Sequence, residues 1–227
     1  MRVLAIDTAL EACSVAVLDT ERPATAEHES LPMERGHAEA LMPLIARLMD
    51  RAALEFDMLD RIAVTTGPGS FTGLRVGLAA ARGIAIASGK PAVGLTTLAA
   101  YAAPLIAANP SRSVVAAIDA RHEQVYIQVF GPGGRIVVPA RVAPIREALR
   151  VAAGGGPILV GTGAALLATA WPQGERPPSL VDERRAPDIA WVARIRAVAT
   201  ATGEPPKPFY LRPPDAQPQA AAQVARR

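Results

Sequence analysis

Two aspartates, each at the end of an apolar strand, are the residues of this chain best suited to hold the metal of a bound nucleotide. Asp7 follows the run "MRVLAI", and Asp119 follows "SVVAAI". Carboxylates in such positions can coordinate magnesium beside nucleotide phosphates. The turn "TTGPGS" follows another apolar strand, and its backbone N–H groups could bind an anion. Together these features predict a candidate nucleotide cleft, formed by Asp7, Thr8, Gly67, Gly69 and Asp119.

The glycine spacing, however, fits neither common phosphate-binding fingerprint. A P-loop requires G-x-x-x-x-G-K-[ST], and no lysine lies near Gly67 or Gly69. A dinucleotide fingerprint requires G-x-G-x-x-G, and the spacing from Gly67 to Gly73 is too long by one residue. After Asp119, "ARHEQ" stands where a phosphate loop would need small glycines. The sequence therefore keeps the strands and aspartates of a nucleotide cleft but lacks much of what would contact the phosphates. We predict no cofactor of the chain's own.

Metal-binding and nucleophilic constellations are also missing from the sequence. His37 has Leu41 four residues later, where a helical zinc site would require a second histidine. Cys13 is the only cysteine, which excludes an intrachain disulfide and a cysteine-based zinc site. Ser70 lies in "PGSFT", which does not match the G-x-S-x-G turn of a hydrolase nucleophile. We therefore predict neither a metal site nor a catalytic residue.

The elements that position the two aspartates form a weak internal duplication. Each aspartate ends a strand, and the next strand is suited to pair with it as a hairpin, in "CSVAVLD" and in "EQVYIQVF". Farther along, apolar residues with helical spacing predict helices over 41–49, 71–88, 97–108 and 188–203. This order predicts an α/β fold in which one arrangement occurs twice.

The bulk composition is that of a globular chain with a real core. Half of the 227 residues are apolar, only 4% are aromatic, and the net charge is +3. A charge this small permits an anionic partner without indicating one. We expect no cleavable leader, because "MRVLAIDT" reaches an aspartate after six residues, and no apolar run is long enough to span a membrane. We therefore expect a soluble cytoplasmic protein that does not bind a membrane.

The predicted helix 71–88 has one face made of small residues. Gly73, Gly77 and Ala81 recur every four residues. Glycine inside a helix costs about 1 kcal/mol relative to alanine, so close packing by a neighbour has to compensate. That neighbour can be the chain's own sheet, the preceding helix, or another subunit, and the spacing alone does not decide among them.

Five segments together resemble the bacterial tRNA threonylcarbamoyladenosine biosynthesis protein family TsaB, also called YeaZ. They are "LAIDTALEACSVAVLD", "GHAEALMPLIARLM", "TTGPGSFTGLRVGLAAARGIA", "AAIDARHEQVY" and "PFYLRPPDA". The resemblance implies a duplicated actin-like, sugar-kinase and Hsp70-type (ribonuclease H-like) fold with two lobes, the second reduced. The implied lobes are 1–109 and 110–203, with a final helix that can return to the first lobe. Residues 204–227 form a Pro/Ala-rich tail whose last part we expect to be disordered.

The resemblance also implies a function in tRNA modification. A TsaB protein is a non-catalytic subunit that binds and activates TsaD, the transferase that forms N6-threonylcarbamoyladenosine next to the anticodon of tRNA. The implied partners are TsaD, the ATPase TsaE and, when the chain is alone, a second copy of itself; tRNA is reached through the complex. ATP or ADP is implied near the partner interface. TsaD carries a metal-binding H-x-x-x-H helix, whereas "HAEAL" keeps His37 and has Leu41 in the second position.

Two first-lobe helices form a four-helix subunit interface in the family, and this favours another subunit as the neighbour of the small-residue face. By position, the resemblance assigns ten residues to that interface. They are His37, Leu41, Leu44, Ile45, Leu48, Gly73, Leu74, Gly77, Leu78 and Ala81.

Two enzymatic functions are the alternatives to a scaffold subunit. The first is a small-molecule kinase or ATPase of the same superfamily that uses Asp7 and Asp119 around magnesium-ATP. The second is a peptidase, a label attached to this branch of the superfamily. The loop after Asp119 argues against the kinase, and the missing second histidine argues against the peptidase.

Overall fold

The computed structural model describes residues 1–22, 26–199 and 204–212, and these ranges contain two β-sheets and their covering helices. The first repeat comprises β1 (Arg2–Asp7), β2 (Ala12–Asp19), β3 (Glu27–Pro32), α1 (His37–Arg51), β4 (Arg61–Thr65), α2 (Phe71–Ser88), β5 (Ala92–Leu95) and α3 (Thr97–Ala108). The second comprises β6 (Val114–Asp119), β7 (Gln124–Phe130), β8 (Ile136–Pro144), α4 (Ile145–Ala152), β9 (Ile158–Val160), α5 (Ala164–Thr169), β10 (Leu180–Asp182) and α6 (Ile189–Val198).

The two sheets have the same strand order, which confirms the predicted duplicated α/β fold with two lobes. The first sheet is ordered β3-β2-β1-β4-β5, and the second, read in the same sense, is β8-β7-β6-β9-β10. In each, three antiparallel strands are followed by two parallel ones. The second repeat is reduced: α4 and α5 have 8 and 6 residues, whereas α1 and α2 have 15 and 18. Asp7 and Asp119 end equivalent central strands.

Helices cover both faces of the first sheet, which is why its central strands β1, β2 and β4 are buried along nearly their whole length. On one face, the inward sides of α1 and α2 pack against Leu4 and Ile6 of β1. On the other, α6 packs against Val3 and Ala5, so the final helix does lie on the first sheet. The helix α3 packs against β6 and β9 of the second sheet. The lobe boundaries at 1–109 and 110–203 themselves stay a prediction.

Local end signals explain the bounds of the long helices. The Ser70 side chain accepts a hydrogen bond from the Gly73 N–H at the start of α2, and Gly89 ends that helix at φ +67°. Thr96 caps α3 and Asp188 caps α6 in the same way. The helix α6 ends at Val198, before the predicted limit of 203.

Some predictions fall outside the described part of the chain. The sequence also predicts a polar strand over 25–31, whose first residue lies outside the described part, as do residues 200–203 and the tail beyond 212. The predicted disorder of the tail therefore stays untested. The sequence pattern did not predict α4 and β10. Among the described residues, no helix combines the length and the apolarity that crossing a bilayer requires.

Candidate functional site

The carboxyl end of β1 holds Asp7 in a closed environment. Its side chain is fully buried. The Asp7 Oδ1 atom accepts hydrogen bonds from the Thr65 hydroxyl and, at 3.1 Å, from the Ala9 N–H, while Oδ2 has no partner among the described residues. Burial raises the pKa of the Asp7 carboxyl, and the hydrogen bonds from Thr65 and Ala9 oppose that shift only in part. Burial thus works against the charged form of this carboxyl, which is the form that would bind magnesium.

The glycines of the "TTGPGSFTG" turn pack against the β1–β2 connection. A Cβ atom at Gly69 would collide with the Ala9 carbonyl, and one at Gly73 would collide with the Thr8 carbonyl. The Thr8 hydroxyl donates a 2.7 Å hydrogen bond to the Gly73 carbonyl, and the Ser70 N–H donates one of 2.7 Å to the Ala9 carbonyl. The space in which a phosphate would contact this turn is therefore filled by the chain's own backbone.

The small-residue face of α2 packs against the end of β1, as the same contacts show. The strip of Gly73, Gly77 and Ala81 faces inward, and a Cβ atom at Gly77 would lie 2.5 Å from Thr8 Oγ1. The strip is needed for close approach to the end of β1, and not for approach to another subunit. The expectation that another subunit is this neighbour was therefore wrong: it came from the resemblance, since spacing shows that a helix face is flat without showing what lies against it.

The ten residues assigned to a subunit interface are all buried within the chain itself. His37 is 7% exposed, and its Nε2 atom lies 3.0 Å from the Leu10 carbonyl oxygen. The others form the inward faces of α1 and α2: Leu41, Leu44, Ile45, Leu48, Gly73, Leu74, Gly77, Leu78 and Ala81. This corrects the residue assignment, because side chains in the core are not available to a second subunit. That α1 and α2 take part in an interface stays a prediction.

Asp119 is placed differently from Asp7, although it ends the equivalent strand. Its side chain is exposed, and its Oδ1 atom accepts a 2.7 Å hydrogen bond from the Arg121 N–H. The next residues, Arg121, His122 and Glu123, have φ of +61°, +52° and +56°. Residues other than glycine adopt this left-handed region at a cost in free energy. The side chains of these three residues occupy the loop in which a phosphate would need exposed backbone N–H groups. Asp7 and Asp119 therefore differ in burial and surroundings, and they do not form two equivalent carboxylate ligands for a nucleotide-bound metal.

A segment near the C-terminus, residues 206–212, runs across the carboxyl ends of both sheets; we call it the strap. In the first lobe, the Phe209 N–H donates a 2.7 Å hydrogen bond to the Thr66 carbonyl, and Arg82 Nε donates one of 3.1 Å to the Pro206 carbonyl. In the second lobe, Arg212 Nη1 donates a 3.0 Å hydrogen bond to the Ala120 carbonyl.

The strap lies where ligands usually bind in open α/β sheets, outside the carboxyl ends of the strands. A Cβ atom at Gly67 would lie 2.9 Å from the Phe209 carbonyl oxygen, so the strap contacts the candidate cleft directly. Leu211 packs against the core cluster that contains Tyr101 of α3, whose buried hydroxyl has no partner among the described residues. Sequence reasoning missed these residues; the segment "PFYLR" was noted only as part of the resemblance.

The outward faces of α1 and α2 form an apolar groove, which we call the α1–α2 groove. Its cavity of about 620 Å³ is lined mainly by apolar and small residues: Met42, Phe56, Ala80, Gly83, Ile84 and Ala87. Glu55, Asp57 and Ser88 are its polar members. Met42 of α1 is 48% exposed, and Ile86 of α2, which is 84% exposed, lies outside the lining of the groove. Helical spacing could have indicated Met42 and Gly83, which lie off the buried faces of α1 and α2, but not Phe56, which follows α1.

Comparison with known proteins gives consistent matches. Residues 31–166 match the model of the family TsaD, tRNA N6-adenosine threonylcarbamoyltransferase. The chain is 38% identical to the tRNA threonylcarbamoyladenosine biosynthesis protein TsaB of Escherichia coli strain K12 over 126 residues, which are 56% of this chain and 53% of that protein. It is 36% identical to TsaB of Haemophilus influenzae, again over 56% of this chain and 52% of the relative. The matched region thus covers about half the length of these curated relatives.

Solved structures extend the match to nearly the whole chain. YeaZ from Pseudomonas aeruginosa has a TM-score of 0.79 and 31% identity, over 92% of this chain and 99% of that one. An inorganic polyphosphate/ATP-glucomannokinase from Arthrobacter sp. strain KM has a TM-score of 0.51 and 14% identity, over 87% and 98%. The second likeness concerns the fold alone, and it agrees with the predicted actin-like, sugar-kinase architecture.

Proposed function

The chain belongs to the TsaB/YeaZ family, and from that membership we propose that it is a non-catalytic subunit that binds and activates the transferase TsaD. It thereby supports formation of N6-threonylcarbamoyladenosine next to the anticodon of tRNA, in the cytoplasm. The ATPase TsaE joins the complex, and ATP or ADP binds near the subunit interface. tRNA is reached through the complex, and the chain pairs with a second copy when TsaD is absent.

The α1–α2 groove is the observation that carries this proposal. Exposed apolar side chains are ordinary when they stand singly, but a continuous groove between two helices is suited to a partner's helices. Met42 and Phe56 supply apolar area, and a Cβ atom added at Gly83 would meet nothing within 4 Å, so a partner helix can approach closely there. The buried residues beneath the groove hold α1 and α2 at a fixed spacing.

The state of the candidate cleft supports a role without catalysis. Asp7 is fully buried, which raises the pKa of its carboxyl, and the turn that would contact phosphates is packed against Thr8 and Ala9. Leu41, in the position of the second histidine of the TsaD motif, is 1% exposed and belongs to the core. The same features weigh against the alternative of a kinase that uses Asp7 and Asp119.

Reconstitution tests the activating role. The modification of tRNA by TsaD and TsaE, supplied with threonylcarbamoyl-adenylate, is measured with and without this chain. We expect modification to depend on the chain. Full modification in its absence would refute the proposal, and turnover of ATP by the chain alone that Asp7→Asn abolishes would support the kinase instead.

A surface substitution tests the groove separately. Met42→Arg places a charge at the α1 side of the groove, and we expect it to weaken binding to TsaD about tenfold or more, because the charge would be buried without a partner. Leu180→Arg is the matched control, since Leu180 of β10 is a comparably exposed apolar residue, at 45% against 48% for Met42, and does not line the groove. Gly77→Arg is not a suitable test, because Gly77 lies in the core. Equal binding by Met42→Arg and Leu180→Arg would exclude the groove as the TsaD interface.

A further inference from the structure

Three loops meet at the amino ends of three neighbouring parallel strands in the second lobe, at the opposite end of the sheet from Asp119. They precede β6, β9 and β10, which lie side by side. Together they enclose a cavity of about 380 Å³, lined by Ser111, Arg112, Ser113, Gly154–Gly156 and Arg176. We call it the amino-end pocket. It is separate from the candidate cleft, from the strap and from the α1–α2 groove.

The glycine loop of this pocket presents backbone donors. Gly154, Gly155 and Gly156 have φ of +132°, +67° and +66°, a conformation that only glycine adopts readily at three successive positions. Within the described part of the chain, none of their N–H groups donates a hydrogen bond. Successive backbone N–H groups in such turns are a common element of anion sites.

Two guanidinium groups approach this loop from different directions. Arg112 Nη1 lies 3.5 Å from the Gly156 carbonyl oxygen, and Arg176 Nε lies 3.2 Å from where a Cβ atom of Gly156 would be. Neither arginine has a carboxylate partner among the described residues, and no acidic residue lines the cavity. Two like charges held near one loop without a counter-charge favour an anion between them.

Hydrogen bonds between the loops fix these groups in place. The Ile158 N–H donates 2.9 Å to the Ser113 carbonyl, and the Ser179 N–H donates 2.9 Å to the Pro157 carbonyl. The Trp171 indole N–H donates 3.2 Å to the Arg176 carbonyl. The backbone that carries the donors is therefore organised before a ligand arrives, which reduces the entropy lost on binding.

From this convergence we propose that the amino-end pocket binds a phosphate group. The planar fork of each guanidinium and the glycine N–H groups match the oxygens of a tetrahedral anion, and the hydroxyls of Ser111 and Ser113 can supply further donors. The cavity is larger than one phosphate, so the group can be carried by a larger molecule. The two sources with this chemistry are an RNA backbone and a free phosphate compound. The proposal does not depend on TsaD binding.

Titration with inorganic phosphate tests the site on the full chain, read out by the NMR amide signals of Gly154–Gly156. We expect saturable shifts in the wild type and affinity about tenfold weaker for each arginine replaced, in Arg112→Gln and Arg176→Gln. Arg146→Gln is the matched control, because Arg146 is exposed, carries the same charge and does not line the pocket. Unresponsive glycine signals, or an equal loss in the control, would overturn the proposal.

The source of the phosphate is separated by a second titration with a short single-stranded RNA and with AMP. RNA that competes with phosphate, and binds the double variant less tightly with a smaller salt dependence, identifies an RNA backbone. AMP that competes while RNA does not identifies a small phosphate compound. RNA binding that both the double variant and phosphate leave unchanged takes place elsewhere and gives no support to the pocket.

Discussion

Two glycines of α2, Gly77 and Gly83, should respond to the same substitution with opposite signs. Both lie inside the helix, so alanine at either position gains about 1 kcal/mol of helix propensity. At Gly83, a Cβ atom meets nothing within 4 Å, and that gain should appear as added stability. At Gly77, the Cβ atom would lie 2.5 Å from Thr8 Oγ1, closer than side-chain atoms normally approach. The sign then depends on what the Thr8 side chain loses.

The loss at Gly77 can be worked from the contacts of Thr8. The hydroxyl must turn away from the new methyl group, and this breaks its 2.7 Å hydrogen bond to the Gly73 carbonyl inside the core. Overpacking costs about 1–3 kcal/mol, and an unpaired buried polar group costs about 1–3 kcal/mol. After subtraction of the propensity gain, Gly77→Ala should lower the free energy of unfolding by about 1–5 kcal/mol.

Urea unfolding followed by circular dichroism measures both variants. For a chain of this size, each kcal/mol also moves the melting temperature by about 2–4 °C. A second cycle adds Thr8→Ala: without the hydroxyl, the penalty of Gly77→Ala should shrink, which gives a favourable coupling between the two sites. If Gly77→Ala is as stable as Gly83→Ala, the small-residue strip does not pack on Thr8 and the assignment of its inward face is wrong.

Two further predictions concern the strap and the cleft. Arg212→Gln removes donors to the Ala120 carbonyl and the Gln124 side chain, so it should lower the free energy of unfolding by about 1–3 kcal/mol and speed amide exchange in the strap, whereas Arg146→Gln should do neither. For Asp7, the raised pKa means that the folded state holds its proton to higher pH than the unfolded state does. Its contribution to stability is therefore present below the ordinary value of 3.8 and declines as pH rises toward the folded pKa. Relative to Asp7→Asn, the wild type should lose stability as pH rises above that ordinary value in unfolding titrations; a constant difference would show that the Asp7 pKa is not raised.

The sequence predicted those elements whose ends are set by local signals. Helix α2 was expected over 71–88, and its bounds follow from the Ser70 cap and the left-handed Gly89. The helix α4 was missed: it has only 8 residues and no side-chain cap. Strand β10 was missed as well, because three residues are too few to show a period. Elements with clear capping residues or a long periodic pattern were therefore predicted, and short elements without them were not.

The candidate site could be predicted less well, because its properties depend on what packs against each residue. That Asp7 and Asp119 end strands was visible in the sequence, but the burial of one and the exposure of the other were not. The strap reaches the cleft from a distant part of the chain, and no local pattern relates Phe209 to Thr66. Which neighbour the strip of Gly73, Gly77 and Ala81 faces also depends on tertiary packing, so the local sequence could not show it.

The two faces of α2 are constrained by different contacts, although the helix takes part in both the candidate cleft and the α1–α2 groove. Its inward glycines bring the helix so close to Thr8 and Ala9 that the turn before it has no room for a phosphate. Its outward residues Gly83 and Ile86 have no part in that packing. A change at the outer face should therefore leave the fold intact, so that any effect on the proposed partner binding is read directly, whereas a change at the inner face alters stability first.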